Sequence, residues 1–149
     1  MVTFANENDI DSWMKLVREV RWNFPGLETE ESLTEHRQTV LKFIKSGEAI
    51  CIKDRKTTTA VLLFSKEHNM ICFLAVLPEY RKRGYASELM KTALENLDRT
   101  KENSVSTFRE DDEKGTAPRA LYKKFGFIEG ELMEEFGYPN QKFILKPNN

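Results

Sequence analysis

The stretch that decides the fold is Met70–Met90, MICFLAVLPEYRKRGYASELM. It opens with an unbroken apolar run that stops at Pro78, crosses a basic turn with one glycine, and enters a segment of helical spacing. The apolar run predicts a strand over Met70–Leu77, buried on both faces. Leu89, Met90, Ala93, Leu94 and Leu97 fall on one face of a helix expected over Gly84–Leu97. The first turn of a helix leaves backbone N–H groups unpaired and carries partial positive charge. Gly84 allows close approach to that backbone, Ala86 is nearly as small, and Arg81, Lys82 and Arg83 add charge beside it. An anion is therefore expected at the helix start, and a diphosphate fits there. The residues alone equally allow a plain strand–helix connection with a solvated basic turn. Neither the Walker loop nor the dinucleotide G-x-G-x-x-G fingerprint is present.

Upstream, Phe4–Asn8 reads as a short strand and turn. Ile10, Trp13, Met14, Val17 and Val20 then repeat at helical spacing, and Phe24-Pro25-Gly26 breaks the period. A second helix is expected over Glu30–Lys45, closed by Ser46-Gly47. Glu48–Lys53 and Thr58–Ser65 read as strands around the turn Asp54-Arg55-Lys56. Downstream come a strand over Ser104–Phe108, a polar loop over Arg109–Gly115 and a helix over Ala117–Phe125. Two closing strands, Phe127–Phe136 and Gln141–Leu145, are joined through Gly137–Asn140. The order is β-α-α-β-β-β-α-β-α-β-β, an α+β class. A mixed, mostly antiparallel central sheet flanked by about four helices is expected, with residues 1–149 as one domain.

Composition narrows the function. The chain has 149 residues, 40% hydrophobic and 11% aromatic, enough for a core. Its formal net charge of -1 argues against nucleic acid as a partner. The opening MVTFANENDI has neither basic nor apolar leader character, and no apolar run reaches the ~18 residues of a membrane span. A cytoplasmic setting with no membrane partner is the expectation. Cys51 and Cys72 lie in apolar strands and read as buried thiols, with no metal-ligand spacing. His36 and His68 read as surface or turn residues.

The run Ala75–Ala86, AVLPEYRKRGYA, resembles the signature of GNAT-superfamily acetyltransferases, [QR]-x-x-G-x-[GA] after a V-x-P-x-[YF] strand end. Arg81, Gly84 and Ala86 fill its fixed positions. The stretch Leu121–Phe127, LYKKFGF, is similar to a second hallmark of that family, L-Y-x-x-x-G-F. The resemblance in element order covers nearly the whole chain. It implies a GNAT-like fold and an N-acetyltransferase that uses acetyl-CoA as co-substrate and no metal. It implies that the strand before the turn splays from its neighbour. Leu74, Ala75 and Val76 would pair with the pantetheine arm, while Lys82, Arg83, Gly84, Tyr85, Ala86 and Ser87 with Arg81 would hold the pyrophosphate. A homodimer is compatible with the family.

Acetyl transfer needs a neutral amine, a stabilised oxyanion and a proton for the leaving thiolate. A lysine-like amine of pKa ~10.4 lies ~3 units from its neutral form at pH 7, roughly 4–5 kcal/mol. The resemblance assigns the general acid to Tyr122 and places the base twelve positions earlier, at Glu110, with Asp111 and Asp112 as competitors. Relatives often carry Asn seven residues before the tyrosine; here Gly115 stands there, and Arg119 is the candidate substitute phosphate contact. For the acceptor, the connection between the first two helices offers Trp22, Phe24 and Glu28. Two aromatics beside acidic residues fit a small cationic amine, though the same acidic residues suit a helix N-terminus. A peptide amine is the alternative acceptor. A non-catalytic acyl-CoA sensor is the alternative from another class.

Overall fold

The computed structural model describes residues 1–148. The elements follow the expected order: β1 (Val2–Phe4), α1 (Ile10–Val20), α2 (Glu30–Lys45), β2 (Ala49–Asp54), β3 (Thr57–Ser65), β4 (Met70–Val76), α3 (Tyr85–Asn96), β5 (Asn103–Phe108), α4 (Thr116–Lys124), β6 (Ile128–Glu135) and β7 (Tyr138–Leu145). One seven-stranded sheet runs β1-β2-β3-β4-β5-β7-β6. All its pairs are antiparallel except β4 with β5.

Alternation along the central strands sends side chains to two cores. Trp13, Leu16 and Val17 of α1 and Val40 of α2 cover one face, against Cys51, Val61 and Leu63. Leu89, Met90 and Ala93 of α3 with Tyr122 of α4 cover the other, against Ile50, Leu62 and Phe143. The helix starts are fixed locally. Asn6 and Asp9 cap each other's backbone N–H groups ahead of α1, and Thr29 and Ser32 do the same for α2.

Three expectations need correction. The first strand is Val2–Phe4, and Asn6–Asp9 is a capped turn, because the polar side chains there bind the backbone. The final hairpin is tighter than expected: Glu135 pairs with Tyr138, so Phe136-Gly137 is the whole turn, both residues at positive φ. Tyr138-Pro139-Asn140 therefore belong to β7. Finally, β4 is not buried on both faces. Cys72 is exposed, and Phe73, Leu74 and Val76 are half-buried, because the strand borders a cleft.

Candidate active site

The cleft arises where the sheet stops being continuous. β4 and β5 meet at one parallel pair, Met70 with Ser104, and separate beyond it. A polar cluster fastens the closed end. The Asn69 side chain donates to Asp98 O at 2.8 Å and Glu102 O at 2.7 Å, and accepts from Asp98 N at 2.9 Å. Asn103, fully buried, donates to Asn69 O at 3.3 Å. At the open end, Arg81 Nε donates to Val76 O at 3.3 Å, tying the turn to the last residue of β4.

That turn leads into α3 with Lys82 at φ 63° and Gly84 at φ 82°, both left-handed. A Cβ on Gly84 would meet open space, so the backbone there is approachable from outside. The first helical bond runs from Glu88 N to Gly84 O, which leaves the N–H groups of Tyr85, Ala86 and Ser87 free for an anion. Leu74, Ala75, Val76, Arg81, Lys82, Gly84, Tyr85, Ala86 and Ser87 all border one cavity of about 850 Å³. Arg83 does not; its guanidinium lies over the Tyr80 ring, 4.7 Å from the centroid, and donates to Glu79 O.

Tyr122 borders the same cavity from α4. Its ring packs between Phe127 and Phe143, about 6 Å from each. None of the described residues hydrogen-bonds its hydroxyl, and burial pushes the phenol's pKa upward. Glu110 is exposed on the loop after β5 and does not border the cavity, whereas Glu113 does. Asp112 turns to the Tyr138 hydroxyl at 2.6 Å, a bond that lowers its pKa.

Gly115 and Arg119 have a structural explanation. A Cβ at Gly115 would stand 3.0 Å from Phe108 Cβ and 3.1 Å from Arg119 Cδ, so a larger side chain there requires those neighbours to shift. Arg119 is not a phosphate contact. It is buried, donating to Phe108 O and Gln141 Oε1, pairing with Glu129 and lying over the Phe143 ring.

On the α1–α2 side, Phe24 lines the cavity, but Trp22 is 74% exposed and Glu28 stays outside it. The Glu28 carboxylate accepts from Gly26 N at 3.0 Å, and that bond lowers its pKa. Beside Phe24, the wall is built from residues missed in the sequence. Phe24 and Phe73 pack tilted with centroids 4.5 Å apart, and His36 lies 4.9 Å from Phe73. Burial lowers the His36 pKa to about 4, so it is neutral, and it is no surface residue. Its place on the Leu33–His36–Val40–Phe43 stripe of α2 was the available signal. Glu135, Phe136 and Asn140 enter from the β6–β7 hairpin. Cys72 opens onto the cavity as the bulged residue of β4, between the pairs Leu63–Phe73 and Phe64–Ile71. Partial burial, with Glu48 and Glu135 nearby, pushes its thiol up to about 11. It is not the buried thiol expected, while Cys51 is.

A model of the GNAT acetyltransferase domain matches residues 42–129, more than half of the chain. The chain belongs to the GNAT acetyltransferase family. It is accordingly a GNAT-type N-acetyltransferase. A GNAT-family acetyltransferase from Bacillus cereus ATCC 10987 superposes with a TM-score of 0.76 at 23% identity, over 100% of this chain and 98% of that one. The PaiA N-acetyltransferase from Thermoplasma acidophilum, solved with coenzyme A, gives 0.71 at 15% identity, over 98% of each chain. A Salmonella typhimurium acetyltransferase that modifies the N-terminal serine of a ribosomal protein gives 0.71 at 15%, over 99% of this chain and 94% of that one. Identities this low show a shared GNAT fold. No curated protein matches the sequence. Among the described residues, no helix is long and apolar enough to cross a membrane, and no cluster of three or more His, Cys, Asp or Glu is arranged to hold a metal.

Proposed function

We propose that this GNAT enzyme moves the acetyl group of acetyl-CoA to the primary amine of a small molecule, with Tyr122 as general acid. One observation carries the reading: a single cavity joins the unpaired edge of β4, the free N–H groups of α3 and Tyr122. Pantetheine would add to the edge of Leu74, Ala75 and Val76 as an extra strand. The pyrophosphate would sit at Lys82–Ser87, with Arg81 and Arg83 adding charge. The acetyl-CoA site is open in outline, and the residues present fit its chemistry.

The neutral amine nitrogen attacks the acetyl carbonyl carbon, the C–S bond breaks, and the thiolate takes the Tyr122 proton. The amine's surplus proton leaves to solvent, and the phenolate regains a proton from water. A phenol whose pKa is raised stays protonated at neutral pH, as an acid must. Glu110, exposed and off the cavity wall, serves as base only through a chain of water. An unshifted pH–rate profile in Glu110→Gln removes it from that role.

A small acceptor is favoured over a peptide because Phe136 reaches across to Gly26. The Phe136 ring lies 2.8 Å from where a Gly26 Cβ would stand, so hairpin and α1–α2 connection meet over the acceptor half. Release of free thiol from acetyl-CoA, followed with a panel of amines and N-terminal peptides, tests the proposal. Measurable CoA binding with no thiol release from any amine favours the sensor reading instead.

A further inference from the structure

Two carboxylates border the cavity among the described residues: Glu113, beside Lys114 on the loop after β5, and Glu135 on the hairpin. On the acceptor side its walls are Phe24, Phe73 and Phe136, with neutral His36 against Phe73. A ligand with several positive charges needs several carboxylates, since a charge left unpaired in an apolar site is costly. Among the described residues, the hairpin presents one to this half, Glu135. The Asn140 side chain holds it, donating to Glu135 Oε1 at 2.8 Å. The other atom of that amide, Asn140 Oδ1, is buried with no partner, and a buried acceptor left unpaired asks for a donor. Glu135 and Cys72 border the same cavity, Cys72 two residues on from the pinned Met70–Ser104 pair.

The roof points the same way. Phe136 is 81% exposed and held at φ 53°, a conformation bulky side chains avoid. The ring faces Gly26, itself at φ 96°, where no Cβ would leave it room. The Phe24–Phe73 pair as one aromatic wall, with Phe136 and the Glu135 carboxylate on the hairpin, suits a flat apolar body with one ammonium.

We infer that the acceptor is a monocationic amine borne on an aromatic group, its ammonium paired with Glu135 and its ring between Phe73 and Phe136. The inference rests on the acceptor reading proposed above. It replaces Trp22 and Glu28, which lie outside the cavity, as the source of acceptor selectivity.

Titration calorimetry on the CoA-saturated protein, with 2-phenylethylamine, spermidine and an alanine-initiated tripeptide, tests it. Phenylethylamine is expected to bind at least tenfold tighter than either of the others. Glu135→Gln is expected to weaken phenylethylamine at least tenfold, with CoA affinity and melting temperature kept. Phe136→Ala, at an exposed turn, is expected to weaken it severalfold. Tighter binding of spermidine or the tripeptide overturns the inference, as does unchanged phenylethylamine affinity in Glu135→Gln. Phenylethylamine binding without thiol release from acetyl-CoA leaves the slot standing and sinks the small-molecule acceptor reading proposed above.

Discussion

Tyr122 belongs to one core and also borders the cleft, so its ring and its proposed acid role answer to different demands. The ring's packing survives loss of the oxygen, which makes Tyr122→Phe a clean removal of the acid. It is expected to lower kcat by about 10²-fold, the scale of general acid catalysis, with the KM for acetyl-CoA nearly unchanged in steady-state assays. Because burial raises this phenol's pKa, activity that depends on it falls only as pH climbs above the ordinary tyrosine range near ~10. His36 gives the opposite sign. Its pKa in the fold is about 4, below the ordinary 6.5, so the folded protein binds this proton more weakly than the unfolded chain does. Stability is then full above pH 6.5 and is lost as pH falls through about 4. Melting curves across that window are expected to be steeper in pH for wild type than for His36→Phe; equal slopes rule the histidine out.

At the scale of elements, two turns set the two halves of the cleft, and each depends on a left-handed glycine. Gly84 opens α3 at φ 82° with nothing within 4 Å of its would-be Cβ. Gly84→Ala therefore costs only the left-handed strain, roughly 1–2 kcal/mol. The added methyl points where the diphosphate is proposed to lie. Acetyl-CoA affinity is expected to fall about tenfold or more, beyond what the small drop in melting temperature explains; equilibrium binding decides this. Gly26 differs, because its Cβ would strike the Phe136 ring. Gly26→Ala is expected to push the hairpin tip away and raise KM for the acceptor severalfold, with the acetyl-CoA KM unchanged. A uniform rise in both constants would mean that the contact is packing alone.

For the whole molecule, the decisive feature is that the sheet is pinned at one end of β4–β5 and open at the other. Asn69 and Asn103 do the pinning, joining β4, β5 and the end of α3. Asn69 also takes φ 53°, which asparagine tolerates better than most residues. Asn69→Ala removes three part-buried hydrogen bonds, which costs about 2–4 kcal/mol. For a chain of this length each kcal/mol is worth about 2–4 °C, so a fall of about 5–10 °C is expected in calorimetry. A change under about 2 °C would show that the fork is held by the sheet alone.

What the sequence determined by itself is local. Periods of 2 and 3.6 residues, the break at Pro78 and the glycine before α3 act over a few residues, so the element order and the turn from Arg81 to Ser87 were legible. The two motifs, in Arg81–Ala86 and Leu121–Phe127, carried the family for the same reason: each is a short run. The acceptor half was not legible. It combines Gly26, His36, Phe73, Glu135 and Asn140, drawn from a helix connection, a helix, a strand and a hairpin far apart in the chain. No period links them, and a glutamate such as Glu28 reads identically whether it faces a cleft or caps a backbone N–H. Only the folding of the hairpin over the α1–α2 connection decides that Glu28 turns outward and Glu135 inward.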